Sequence, residues 1–183
     1  MKLKPIYDSL IREVSDDLYN FVKSNFSKER IIMDSIGNKK WDRLKVINTN
    51  QKVGGSKPVG LWYSIGTDWV DWVRDNMPHW EGENLYIIDI NPNNILHLNT
   101  EEKVIEFSNL YSVKNGRESG RGFDIDWVKV AQKYSGIEIS PYQYGLRFEY
   151  LWYYTWDIAS GCLWNNNAVN NIKKIELSSD NNL

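Results

Sequence analysis

At 183 residues, with 42% hydrophobic and 25% charged residues, the chain has the composition of a globular domain with one core and not that of a disordered segment. A formal net charge of −2 argues against a protein that lives on phosphate-backbone contacts, and the lone Cys162 excludes an internal disulfide framework and a cysteine-only zinc site. The charged start Met1-Lys2-Leu3-Lys4 and the absence of any apolar run near the ~20 residues of a membrane span lead to the expectation of a cytoplasmic protein.

In chain order, Ile6, Leu10, Ile11, Val14, Leu18, Phe21 and Val22 recur at three- and four-residue spacing and predict an amphipathic helix over 7–26, capped by Asp8 or Ser9. Ile31-Ile32-Met33 fits strand or helix, and 36–39 reads as a turn. A first strand is expected at 44–48, then a flexible connection through Gly54, Gly55 and Pro58, and a short aromatic strand at 60–64. Gly66-Thr67-Asp68 offers a cap for a helix that carries Trp69, Val70, Trp72 and Val73 and stops at Pro78.

Beyond it, strands are expected at 85–90 and 95–98 and a helix over 100–111. The glycine- and arginine-rich stretch 116–122 reads as a mobile loop. A short helix over 125–134, a strand at 136–139, an irregular aromatic passage from Pro141, a strand near 161–164 and a last element over 172–177 complete the chain. The pattern is one α+β domain over 1–183. Its parts are an N-terminal helical part over 1–40, a core over 41–177 and a frayed Asn-rich tail over 178–183.

The nine tryptophans at 41, 62, 69, 72, 80, 127, 152, 156 and 164 have two readings. Each ring can serve as core packing, since an indole buries a large area. The set as a whole carries many N–H groups that need partners, which suits an aromatic pocket for a nicotinamide, an adenine or a sugar. His79 and His97 lack metal-ligand spacing. Cys162, beside Leu163 and Trp164, is read as buried packing with a raised thiol pKa and not as a nucleophile.

Gly60-Leu61-Trp62-Tyr63-Ser64, followed by a helix with Trp69 and Trp72, resembles the second signature of ADP-ribosyltransferases, a short aromatic strand ending in Ser that opens a helix. That family places a first strand with a ligand-holding polar residue before the signature and a late strand with a carboxylate after it. The segment from Ser160 to Ile175 is similar to the late and closing strands of the poly-ADP-ribose polymerase branch, with Ser160 or Gly161 where those enzymes carry glutamate. The chain also resembles a group of bacterial and phage proteins that share Lys-Pro-x-Gly-Leu-Trp, here 57–62, and Trp-Asp-x-x-Ser-Gly-x-x-Trp, here 156–164.

The resemblance implies a compact mixed or antiparallel split sheet with short helices, and an enzyme that takes NAD as its substrate without a metal and passes ADP-ribose to a protein or nucleic-acid acceptor. Binding residues would be Lys57, Trp62, Tyr63, Ser64, Trp69, Ser160 and Trp164, with Lys45, Asn48 or Arg43 from the first strand. Asp157 or Glu138 would stabilise the developing positive charge, with Glu149 a further candidate. Asp157 fits equally well as a cap for Ala159 and Ser160. The alternative is a non-catalytic nucleotide- or protein-binding module on the same scaffold, such as a phage-encoded inhibitor acting in the infected cell.

Overall fold

The computed structural model describes residues 14–33, 48–114 and 123–177. The start of the expected first helix with Asp8 and Ser9, the turn at 36–39, most of the expected 44–48 strand with Lys45, and the 116–122 loop lie outside them, as do Trp41, Arg43 and the tail.

In chain order the elements are α1 (Asp16–Asn25), β1 (Arg30–Met33), β2 (Leu61–Ile65), α2 (Asp68–Asn76), β3 (Leu85–Ile90), β4 (Ile95–His97) and α3 (Glu101–Tyr111). There follow β5 (Ser112–Lys114), β6 (Phe123–Ile125), α4 (Trp127–Ala131), β7 (Gly136–Ile139), α5 (Leu151–Tyr154), β8 (Ser160–Leu163) and β9 (Val169–Lys174). Seven strands form one sheet in the order β4-β7-β8-β2-β1-β3-β9, and β5 and β6 make a separate hairpin. Among the described residues only β4 and β7 run parallel, so the sheet is mixed and the protein is α+β.

Local chemistry accounts for the elements beside the sheet centre. Ser15 caps α1 by accepting from the Leu18 N–H, Thr100 caps α3 by accepting from Lys103, and Asp126 caps α4 by accepting from Lys129. Gly66 turns from β2 into α2 at φ 56°, a left-handed conformation, and an added Cβ there would sit 2.7 Å from the Ser27 carbonyl oxygen.

Three clusters fill the interior. Around α3, α4 and α5 lies an aromatic core with Phe107, Trp127, Trp152, Tyr153, Trp156 and Trp164, which reaches Ile137 and Cys162 on the sheet. Helices α1 and α2 pack an aliphatic cluster, Val22, Val70 and Val73, onto Ile31, Met33 and Leu85. The opposite face carries Ile32, Tyr63, Ile88, Ile95 and Leu163.

Several expectations are corrected. Residues 30–33, open to strand or helix in the sequence, form a strand paired with β2, and the β-branched pair Ile31-Ile32 is buried. Asn48 lies in no strand. Ile125 ends the β6 strand instead of opening a helix, because Asp126 supplies the cap one residue later.

Candidate functional site

Along the sheet centre β1 and β2 pair only through Arg30–Ile65 and Ile31–Ser64. From there β1 continues with β3 as far as Met33–Leu85, while β2 continues with β8 as far as Leu61–Leu163. The two strands therefore diverge, and a cleft of about 410 Å³ opens in the fork. Ile31, Ile32 and Met33 line one side, Gly60 to Ser64 the other, and Lys57, Trp69, Trp156, Asp157, Ile158 and Ser160 complete the wall. Its volume lies in the range of small-molecule sites, roughly 300–1,000 Å³.

Strand alternation sorts the wall. Trp62 pairs with Cys162, and Ser64 with Ser160, so these four share one face of the sheet. Trp62 lies 4.8 Å from Trp156 in a tilted contact, and Trp69 stacks on Trp72 at 5.0 Å. Ser64 is buried and donates to the Ile31 carbonyl at 3.4 Å, and Ser160 donates to the Ile158 carbonyl at 3.1 Å. Both hydroxyls keep acceptor capacity.

The charges at the cleft are unevenly matched. Asp157 accepts from Arg147 Nη2 at 2.8 Å. The Lys57 ammonium lies 5.3 Å from the centre of the Trp62 ring. Lys57 is exposed overall, yet burial pulls its pKa below the ordinary lysine value, against an opposing pull from Asp157.

Gly60 and Gly161 are glycines for a steric reason. A Cβ on Gly60 would run into the Leu163 carbonyl, and one on Gly161 into the Tyr63 ring. Tyr63 lies over Gly161 and its hydroxyl donates to Glu138 Oε2 at 2.9 Å. That places the Tyr63 side chain and Glu138 on the face opposite Trp62 and Ser64. There Glu138 is saturated: Arg30 donates through Nε at 2.6 Å and Nη2 at 3.2 Å, and His97 Nδ1 stands 3.3 Å away. Burial raises the Tyr63 pKa well above its ordinary value and the Glu138 charge adds to this, so the phenol stays protonated and donates.

Of the residues expected at the site, Lys57, Trp62, Tyr63, Ser64, Trp69, Asp157 and Ser160 are brought to the cleft. Glu138 is not: its register with Gly161 and Tyr63 puts its side chain on the face opposite Trp62 and Ser64. Trp164 belongs to the aromatic core, its N–H donating to the Tyr134 carbonyl at 2.7 Å. Asn48 is exposed and accepts from the Asn166 N–H at 3.2 Å, away from the cleft wall. Glu149 is also exposed and no part of the wall. Cys162 is buried, and burial raises its thiol pKa, as its flanking residues imply.

Sequence reasoning missed the β1 residues, Trp156 as part of the wall, and Arg147 as the partner of Asp157. Trp156 opens the Trp-Asp-x-x-Ser-Gly-x-x-Trp pattern and was therefore within reach. Its neighbours Trp127 and Trp152 show where indole partners went: their N–H groups donate to the Gly55 carbonyl at 3.0 Å and to Ser108 Oγ at 2.9 Å. Those rings are core.

Fold and cleft together define an α+β protein with an aromatic, ligand-sized site in the fork of its main sheet. Comparison with protein-family models, with curated proteins and with solved structures finds no significant match for this chain.

Proposed function

We propose that the cleft binds a nucleotide of the NAD class and that its chemistry is ADP-ribosyl transfer. The observation that carries this reading is the fork itself. It sets β1, the aromatic Leu61–Ile65 strand and the late Ser160–Leu163 strand side by side, with Ser64, Ser160 and a carboxylate, Asp157, around one aromatic cavity. This is the order of parts the resemblance to ADP-ribosyltransferases implies, with Arg30 to Met33 in place of the expected 44–48 strand.

In this reading the planar ring lies against Trp62, which Trp156 backs from the core, and Asp157 faces the ribose. The bond from the ribose anomeric carbon to the nicotinamide nitrogen breaks, and nicotinamide leaves with the electron pair as a neutral molecule. Asp157 offsets the positive charge that develops on the ribose, and an acceptor hydroxyl or amine adds at the anomeric carbon and gives its proton to solvent. Purified protein then releases nicotinamide from NAD, and Asp157→Asn abolishes the release. If millimolar NAD is neither hydrolysed nor able to quench tryptophan fluorescence, the reading falls.

One observation favours a second reading, a non-catalytic module that holds the nucleotide. Arg147 neutralises Asp157 at 2.8 Å, and β8 itself carries Ser160 and Gly161 but no carboxylate. NAD binding without nicotinamide release is the outcome that selects it.

A further inference from the structure

The cleft holds two hydrogen-bond donors that have nothing to donate to. Lys57 makes no hydrogen bond and no salt bridge among the described residues; it lies over the face of Trp62, with Asp157 acting on it only at longer range. The indole N–H of Trp156, a residue only 1% exposed, is sealed from solvent and without an acceptor. Its sister indoles on Trp127, Trp152 and Trp164 all have partners. Both unsatisfied donors belong to side chains that touch the same ring: Lys57 lies over Trp62, and Trp156 packs against it at 4.8 Å.

A buried donor without an acceptor costs free energy, and an ammonium held over an indole without a direct salt bridge is placed to take an anion. Asp157, the only carboxylate of that wall among the described residues, is already engaged by Arg147. The wall thus has positive charge to spare. We infer that the Lys57 side of the cleft is an anion subsite that takes the phosphate of a nucleotide whose base lies against Trp62. A phosphate supplies several acceptor oxygens to one ammonium, and the Trp62 face supplies sequence-tolerant stacking for a flat base. Arg147 keeps Asp157 from repelling it.

The inference deepens the proposed nucleotide site and rests on it for the choice of base, while the phosphate requirement stands alone. Fluorescence titrations with AMP, nicotinamide mononucleotide, adenosine and NAD test it, with inorganic phosphate as a competitor. The phosphate-bearing ligands are expected to bind about tenfold or more tightly than adenosine. Lys57→Gln removes that advantage and leaves adenosine unchanged. Circular dichroism on the variant checks that it is folded. Equal affinity for AMP and adenosine, an unchanged Lys57→Gln protein, or no binding of any phosphate-bearing ligand overturns the inference. If AMP binds through Lys57 but NAD does not, the subsite survives and the NAD reading fails. If NAD binds equally well to Lys57→Gln, the reverse holds.

Discussion

Trp62 and Tyr63 are neighbours on one short strand, yet they face two polar environments of opposite character. Behind Tyr63 every group is matched: Glu138 collects the Tyr63 hydroxyl, two Arg30 nitrogens and a His97 nitrogen. In front of Trp62 the groups are less fully matched, with Lys57 lacking a direct salt bridge among the described residues and the Trp156 N–H lacking an acceptor. A saturated network holds a fold together, and an unsaturated one waits for a partner. Glu138 drew attention in the sequence as a carboxylate on a good strand, and its saturation is what assigns it to the scaffold. Because Arg30 sits on β1 and Glu138 on β7, their ion pair also ties together the two halves of the sheet that separate at the fork.

The largest expected effect comes from breaking the matched side. Glu138→Ala strands the Arg30 guanidinium and the buried Tyr63 hydroxyl, and losing one partner of a mostly buried ion pair costs about 2–4 kcal/mol, reduced from the fully buried case because Arg30 is partly exposed. Urea unfolding measures it. Gly161→Ala attacks the same network sterically, since its new methyl group displaces the Tyr63 ring from Glu138, at about 1–3 kcal/mol. In each variant that remains folded, AMP binding in the cleft stays near its original value. A tenfold loss of AMP affinity from either change would show that the two faces of β2 are one site and would undo the comparison.

A good part of this arrangement was readable in the sequence. The 85–90 and 136–139 strands coincide with β3 and β7, because bounded β-branched runs leave little ambiguity. The Lys-Pro-x-Gly-Leu-Trp and Trp-Asp-x-x-Ser-Gly-x-x-Trp patterns now have physical content. Lys57, Trp62, Trp156, Asp157 and Ser160 line one cleft, while Gly60 and Gly161 let β2 and β8 approach and the Tyr63 ring lie flat. Other features were not local. Ile31-Ile32-Met33 is too short for periodicity to separate strand from helix, and only pairing with β2 and β3 decides it. Nor does residue order tell that Arg147 crosses to Asp157, or that Glu138 faces away from the cleft.

Smaller than the scaffold effects is the response of the open side to pH. Protonated Lys57 is the form that attracts phosphate, and its pKa is depressed by burial. Affinity for AMP is therefore expected to hold through neutral pH and to fall as pH rises through that depressed value, below the 10.5 of an ordinary lysine. Adenosine, which carries no charge for Lys57 to meet, shows no such fall. Arg147→Gln separates the two functional readings on the same wall. The pair is about a quarter exposed on each partner, so its loss costs no more than about 0.5–1 kcal/mol of stability. Nicotinamide release from NAD rises if Arg147 is what restrains Asp157, and stays absent if the cleft only holds its ligand.

The smallest effect is the most diagnostic, because its sign is unusual. A lysine whose pKa is lower in the folded chain than in the unfolded one opposes folding wherever it is protonated in both states. As pH rises through the folded value the native state gives up its proton first, the unfolded state then holds more protons, and stability climbs until the unfolded value of 10.5 is passed. Lys57→Met, which keeps an unbranched side chain but removes the charge, is thus expected to raise stability at neutral pH. The gain is at most about 0.5 kcal/mol, since much of the side chain meets solvent, and it shrinks as pH approaches 10.5. A residue that costs stability and improves ligand affinity is the signature of a binding group. Were thermal melts to show Lys57→Met less stable than the parent at pH 7, Lys57 would belong with Glu138 among the groups that hold the sheet together, and the open side would have lost its charge.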